Sequence, residues 1–145
     1  MSDDLNALER DVIATILSPD HPVMNALRRQ FERCHVAFRE ITGVGFFTNL
    51  SVPTDVEPAP VRRGRLDLGD VTATIEGLEN GAGFVLFVQD GVLDVLEGFS
   101  YTEPWTDLTA RHAVSAGGVG HSGGSMTDIE EVDAALNRSG DIPGP

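Results

Sequence analysis

The chain has 145 residues, 41% of them hydrophobic, and a formal net charge of −13. This length excludes a second full domain, and this charge repels phosphate backbones, which argues against nucleic-acid binding while speeding encounter with a basic partner. The lone cysteine, Cys34, excludes an internal disulfide and any cysteine-based zinc cluster.

The N-terminus, MSDDLNALERD, is polar and acidic, without the positive and apolar regions of a signal peptide. No apolar run approaches the roughly 20 residues of a membrane span, so the expectation is a cytoplasmic chain with no membrane contact. Ser2 is the expected N-cap, Asp3 and Asp4 suit the positive end of a helix dipole, and Leu5, Leu8, Val12 and Ile16 recur at helical spacing. Helix one is therefore expected over about 3–17, ended by SPDHP. Asp20 and Pro22 can open a second helix. Leu27, Phe31, Cys34 and Phe38 would form its apolar stripe, with Arg28, Arg29, Arg33 and Arg39 mostly off it. This places Cys34 in the core as a small residue. Arg28, Arg29 and Arg33 are candidates for an anion clamp, since a guanidinium presents a planar fork of donors, against the plainer reading of a solvated helix face.

From Gly43 the period changes to two, and Val44, Phe46, Thr48, Leu50 and Val52 point one way along a first strand closed by Pro53. PTDVEPAPVRRGR is a surface connection, and a second strand follows at about 65–78, interrupted near Gly69. Asn80-Gly81 and Asp90-Gly91 both favour two-residue type I′ hairpins, because both central positions need positive φ. Tight turns there would set Ile75 opposite Leu86, Ala73 opposite Val88, Val88 opposite Leu93 and Leu86 opposite Val95. One face then collects Ala73, Ile75, Gly77, Phe84, Leu86, Val88, Leu93 and Val95, and ends at Glu97. The other carries Thr72, Thr74, Glu76, Leu78, Val85, Phe87, Val92, Asp94 and Leu96, too apolar for free exposure and too polar for a dry core. The helices are expected on the first face, leaving the mixed face as the contact surface.

The fold expected is α+β: two N-terminal helices packed on one face of a mainly antiparallel sheet of about four strands, with a flexible C-terminal tail. Residues 1–110 would form the domain, 111–125 a glycine- and serine-rich linker, and 126–145 an acidic tail. In the tail Thr127 and Glu130 make a capping-box pattern before Ile129, Val132 and Leu136. A glycine-serine stretch before a methionine also has the form of a fusion junction, and both origins of residues 126–145 stay open.

No chemical motif survives its context. Gly118, Gly120 and Gly123 spell GxGxxG without a βαβ unit, and residues 120–124 spell GxSxG with no histidine after His121. His21, His35, His112 and His121 have no metal-ligand spacing, so neither metal nor cofactor is expected. Three readings of Glu97 stay open: a buried general acid or base, a structural ion pair with a helix-two arginine, or a carboxylate that reaches water at the sheet edge. Tyr101 and Trp105 are either a lid on the core or interface anchors.

The run GFVLFVQDGVLDVLEGFSYTEPW, residues 83–105, with weaker support from GVGFFTNLSVP at 43–53, resembles a GFxLFxxDGxLxxLEG signature of small uncharacterised bacterial proteins. Some of these resemble immunity proteins of polymorphic toxin systems. The resemblance implies no catalytic residues. The expected function is a non-catalytic acidic module that binds a basic protein partner through Thr74, Glu76, Val85, Phe87, Asp94, Leu96, Tyr101 and Trp105. The rivals are a homodimer through that face, and a small enzyme or ligand-binding domain with a pocket between helices and sheet lined by Glu97 and a helix-two arginine.

Overall fold

A computed structural model describes residues 5–61, 63–101 and 103–116. Ser2, Asp3, Asp4, both glycine motifs and the 126–145 tail lie outside the described residues. Helix α1 (Ala7–Ile16) starts at a capping box: Asn6 Oδ1 accepts from the Glu9 N–H and Glu9 Oε1 from the Asn6 N–H, both at 2.8 Å. Helix α2 (Pro22–Phe31) uses Pro22 at its first position and His21 as N-cap. Arg28 ties the two helices together by donating to the Leu17 and Pro19 carbonyls and to Asn25 Oδ1.

Helix two ends at Phe31, seven residues short of the expected stripe. Residues 35–41, HVAFREI, form strand β1 (His35–Ile41) instead, hydrogen-bonded to β2 (Gly45–Ser51). Val36, Phe38 and Ile41 suit a pleated surface, and a partner strand waits one short turn away, so tertiary pairing overrides the helical spacing. Cys34 lies in the turn between α2 and β1, half-buried against the core, and burial pushes its thiol up to about 11.

Strands β3 (Arg65–Ile75), β4 (Ala82–Gln89), β5 (Val92–Ser100) and β6 (His112–Ala116) complete a six-stranded sheet in the order β1-β2-β5-β4-β3-β6, every pairing antiparallel. This corrects the expected four strands. The two unforeseen strands are its edges: β1, read as helix, and β6, read as the start of the linker, so the domain extends at least to Ala116. A 2.7 Å contact between His112 Nε2 of β6 and Asp11 Oδ2 of α1, within hydrogen-bond distance, adds to that edge's attachment.

The second reversal is as expected: Asp90 and Gly91 both have positive φ, 52° and 82°, Gln89 faces Val92 and Val88 faces Leu93. The first is not. Ala73 faces Ala82, Thr74 and Ile75 continue β3 against β6, and residues 76–81 form a longer connection in which Gly77 and Gly81, not Asn80, take positive φ. The register differs from the expected one by an even number of residues there, so Ala73, Ile75, Phe84, Leu86 and Val88 still share the buried face.

Beyond Leu93 the expectation inverts. Val88 faces Leu93 but Phe87 faces Val95, so Asp94 is an extra residue, a β-bulge. From there Leu96 and Gly98 turn toward the helices, and Val95, Glu97 and Phe99 turn away. Leu96 is fully buried. At Gly98 a Cβ would lie 2.4 Å from a ring carbon of Phe46 and 2.9 Å from one of Phe84, so only glycine lets those rings meet there. Bulges also interrupt β1 between Val36 and Phe38 and β3 between Leu68 and Val71, the latter at the expected interruption near Gly69.

The core lies between this face and the helices. It joins Leu8, Val12, Ile13 and Ile16 of α1 and Val23, Met24 and Leu27 of α2 to Phe46, Leu66, Leu86 and Leu93 of the sheet. Gln30, fully buried, pins α2 to the β4–β5 turn: its Nε2 donates to the Gly91 carbonyl at 2.8 Å and its Oε1 accepts from the Leu93 N–H at 2.9 Å.

Candidate binding face

With the helices on one side, the pleat sends every second side chain to a surface that no helix covers among the described residues. The registers give its rows. Phe38, Asn49, Val95, Phe87 and Asp67 lie side by side across five strands, as do Glu40, Phe47, Glu97 and Val85 across four. Phe47, Val85, Phe87, Val95 and Phe99 are half-buried, held down only by their neighbours, while Phe38 is 56% and Tyr101 49% exposed. An apolar row of this kind on an open sheet marks a surface fit for contact with another molecule.

Two shallow grooves cross the face. The larger, about 610 Å³, runs past Thr72, Thr74, Val85, Phe99 and Tyr101 toward the 78–81 loop. Its floor is Gly83, where a Cβ would lie 2.8 Å from both the Phe99 ring and the Tyr101 hydroxyl; those two rings meet edge to face at 5.7 Å. Glu103 fixes the loop at its end by accepting from the Glu79 and Asn80 N–H groups at 2.8 and 2.9 Å, which holds its carboxyl below the usual glutamate range. The smaller groove, about 370 Å³, is lined by Glu40, Phe47, Asn49, Arg65, Phe87 and Asp94, with Gln89 and Val95. The Arg65 guanidinium lies 4.1 Å above the Phe87 ring centroid and pairs with Asp67 at 2.7 Å.

Of the expected contact residues, Thr74, Val85, Phe87 and Tyr101 belong to this face, and Glu76 and Asp94 are exposed at its border. Leu96 and Trp105 do not. Leu96 is inside because of the bulge, and Trp105, 3% exposed, stacks edge-on against Phe46 and Phe84 at 5.7 and 6.2 Å. Trp105 is therefore the lid on the core's end, also joined to Val44 by an isolated bridge. The anion clamp is not assembled: Arg28 is spent on helix-end carbonyls, Arg29 is exposed, and Arg33 pairs with Asp55 at 2.9 Å on the surface. The pocket expected between helices and sheet, lined by Glu97 and a helix-two arginine, is corrected as well. Glu97 is half-buried on the opposite, open face.

Among the residues whose burial is described, the fully buried carboxylate is Glu9. Its Oε1 accepts from the Asn6 N–H and from Arg39 Nη2 at 2.6 Å; its Oε2 accepts from Arg39 Nε at 2.8 Å and from the Thr48 hydroxyl. All four bonds are local to α1, β1 and β2, so this group joins the helix to the edge hairpin. Sequence reasoning missed it because Arg39 was assigned to a helix. Phe38, Glu40 and Phe47 on the open face were missed for the same reason or as the off-side of a strand read for its core side. The alternation Phe47–Asn49 was the available signal. No group of three or more histidine, cysteine, aspartate or glutamate residues that could hold a metal ion occurs among the described residues, and none of their helices is long and apolar enough to cross a membrane.

Comparison with protein families, with curated proteins and with solved structures gives no match.

Proposed function

We propose that this chain is a non-catalytic acidic binding module that seats a basic protein partner on the open face of its sheet, a role like that of the immunity proteins that some of the small bacterial proteins sharing the 83–105 signature resemble. The observation that carries the proposal is the uncovered row of aromatic and aliphatic side chains from Phe38 to Tyr101 on an otherwise well-packed domain. Six strands at about 4.8 Å spacing make a face about 25 Å wide. With strands about 20 Å long, side-chain relief and a rim, it approaches the roughly 800 Å² that each partner contributes to a standard interface. Charge supports the choice of partner. Glu40, Asp67, Asp94 and Glu97 lie on or beside this face, where Arg65 stacks on Phe87, and the whole chain carries −13. Such a surface raises the on-rate for a basic protein and makes it fall with salt. A cytoplasmic setting fits a chain whose one thiol is protonated and half-buried.

The test begins with affinity recovery of the full chain from its native cell and identification of a bound protein. Titration calorimetry of the purified pair follows. Phe87→Asp should weaken binding at least about 30-fold, as expected for charging an interface centre, while the far-UV circular dichroism spectrum and a cooperative urea transition are retained. Ala14→Asp, on the exposed side of α1, should leave affinity intact. Binding lost with Ala14→Asp but kept with Phe87→Asp and Tyr101→Asp would overturn the proposal.

A further inference from the structure

The open face already contains one complete cation-binding arrangement. Phe87 stands directly opposite Asp67 in the β3–β4 register, and a guanidinium, that of Arg65, lies over the ring while pairing with the Asp67 carboxylate. An aromatic face supplies quadrupole attraction and the adjacent carboxylate supplies charge and hydrogen-bond acceptors, a combination matched to a planar guanidinium.

The same elements recur two strands away. In the row Glu40–Phe47–Glu97, Phe47 is the directly opposed neighbour of both carboxylates. Cross-strand neighbours have Cβ atoms about 5 Å apart, so the two carboxylates flank the ring across about 10 Å, room for one guanidinium between them. Asp94 at the bulge and Asn49 add acceptors at the border of the adjoining groove. Among the described residues, no ion pair includes Glu40, Asp94 or Glu97, and the one cation on an aromatic ring is Arg65 on Phe87.

The geometry points to the Glu40–Phe47–Glu97 row as a subsite for an arginine side chain of the partner, stacked on Phe47 and paired with the two glutamates. The subsite rests on the proposed docking of a basic partner on this face and names the anchor by which that partner is recognised. It also gives Glu97 a role: the bulge at Asp94 shifts the strand by one residue, which sends Leu96 into the core and brings Glu97 beside Phe47.

The probe is a blocked Gly-Arg-Gly tripeptide, titrated into the ¹⁵N-labelled full chain at low salt, with Gly-citrulline-Gly as the uncharged isostere. The expected result is saturable shifts at the Phe47, Asn49, Val95 and Glu97 amides with the arginine peptide and none with citrulline. Glu40→Gln and Glu97→Gln should each weaken the arginine peptide by about 2- to 5-fold, the scale of an exposed ion pair, and Phe47→Ala should remove saturation. Equal responses to the two peptides, or shifts spread over all surface carboxylates, overturn the subsite. A partner that needs Phe87 and Tyr101 but binds the Glu40→Gln/Glu97→Gln double variant unchanged also overturns it and leaves the docking face standing. A subsite that binds the tripeptide as expected in a chain whose identified partner docks elsewhere refutes the docking proposal alone.

Discussion

Substituting Arg39 tests whether a polar cluster, rather than apolar packing alone, holds the edge hairpin to the helical layer. Glu9 is 0% exposed, and its carboxylate receives four hydrogen bonds, two of them from Arg39, whose side chain is 24% exposed. In Arg39→Ala the carboxylate stays buried with only the Asn6 N–H and the Thr48 hydroxyl. Removing one partner of a buried pair costs about 3–4 kcal/mol, because the remaining charge is uncompensated. Glu9→Gln removes the charge instead, keeps an oxygen for the Asn6 cap, and leaves an arginine that can turn toward water. Its cost is about 1–2 kcal/mol, that of weakened hydrogen bonds. At about 4 °C per kcal/mol for a domain of this size, Arg39→Ala should lower Tm by about 12–16 °C and Glu9→Gln by about 4–8 °C. The double variant should be more stable than the sum of the two losses by about 1–2 kcal/mol, since it no longer buries an unpaired charge. Urea unfolding followed by circular dichroism, with calorimetry for Tm, measures all three. A loss below about 0.5 kcal/mol for Arg39→Ala, or strict additivity in the double variant, would refute the reasoning.

Three further outcomes follow from named contacts. Leu96→Ala should cost about 2–5 kcal/mol in urea unfolding while Val95→Ala costs under about 1 kcal/mol, because the bulge puts the first in the core and the second on the open face; the reverse order would mean that β5 runs without the bulge. Glu103, whose folded pKa is lowered by the Glu79 and Asn80 N–H groups, stabilises the 76–81 loop fully above the usual glutamate range and loses that contribution as pH falls through its own lower value. The protection factors of the Glu79 and Asn80 amides, taken relative to intrinsic exchange at each pH, should therefore fall on acidification and already be low at neutral pH in Glu103→Gln. Cys34, with its thiol pushed up to about 11 by burial, should react with a disulfide reagent at pH 7 at least about tenfold more slowly than the unfolded chain, and equal rates would show a freely exposed thiolate.

The parts of the fold that were legible in sequence are those decided within a few residues. Proline at 19 and 22 separates two helices whatever else the chain does, and Asp90-Gly91 closes a two-residue hairpin because both positions tolerate positive φ. Even the wrong turn at Asn80-Gly81 kept the correct buried face for β3 and β4, since an error of an even number of residues preserves a period of two. The open face was legible in outline for the same reason, through Val85 and Phe87.

Other features depend on partners distant in sequence. HVAFREI fits a helix by spacing and a strand by residue type, and the hydrogen-bonding edge of β2 decides between them. Asp94 becomes a bulge because Leu96, not Val95, fills the space above the helices, and one inserted residue reverses every side chain after it, carrying Glu97 from the expected core to the open face. Local chemistry thus determined where the chain turns and which segments are amphipathic. Only packing between layers decided which strands became edges, which residue each bulge absorbed, and so which carboxylates stand beside Phe47, because those choices compare burial energies across the whole sheet.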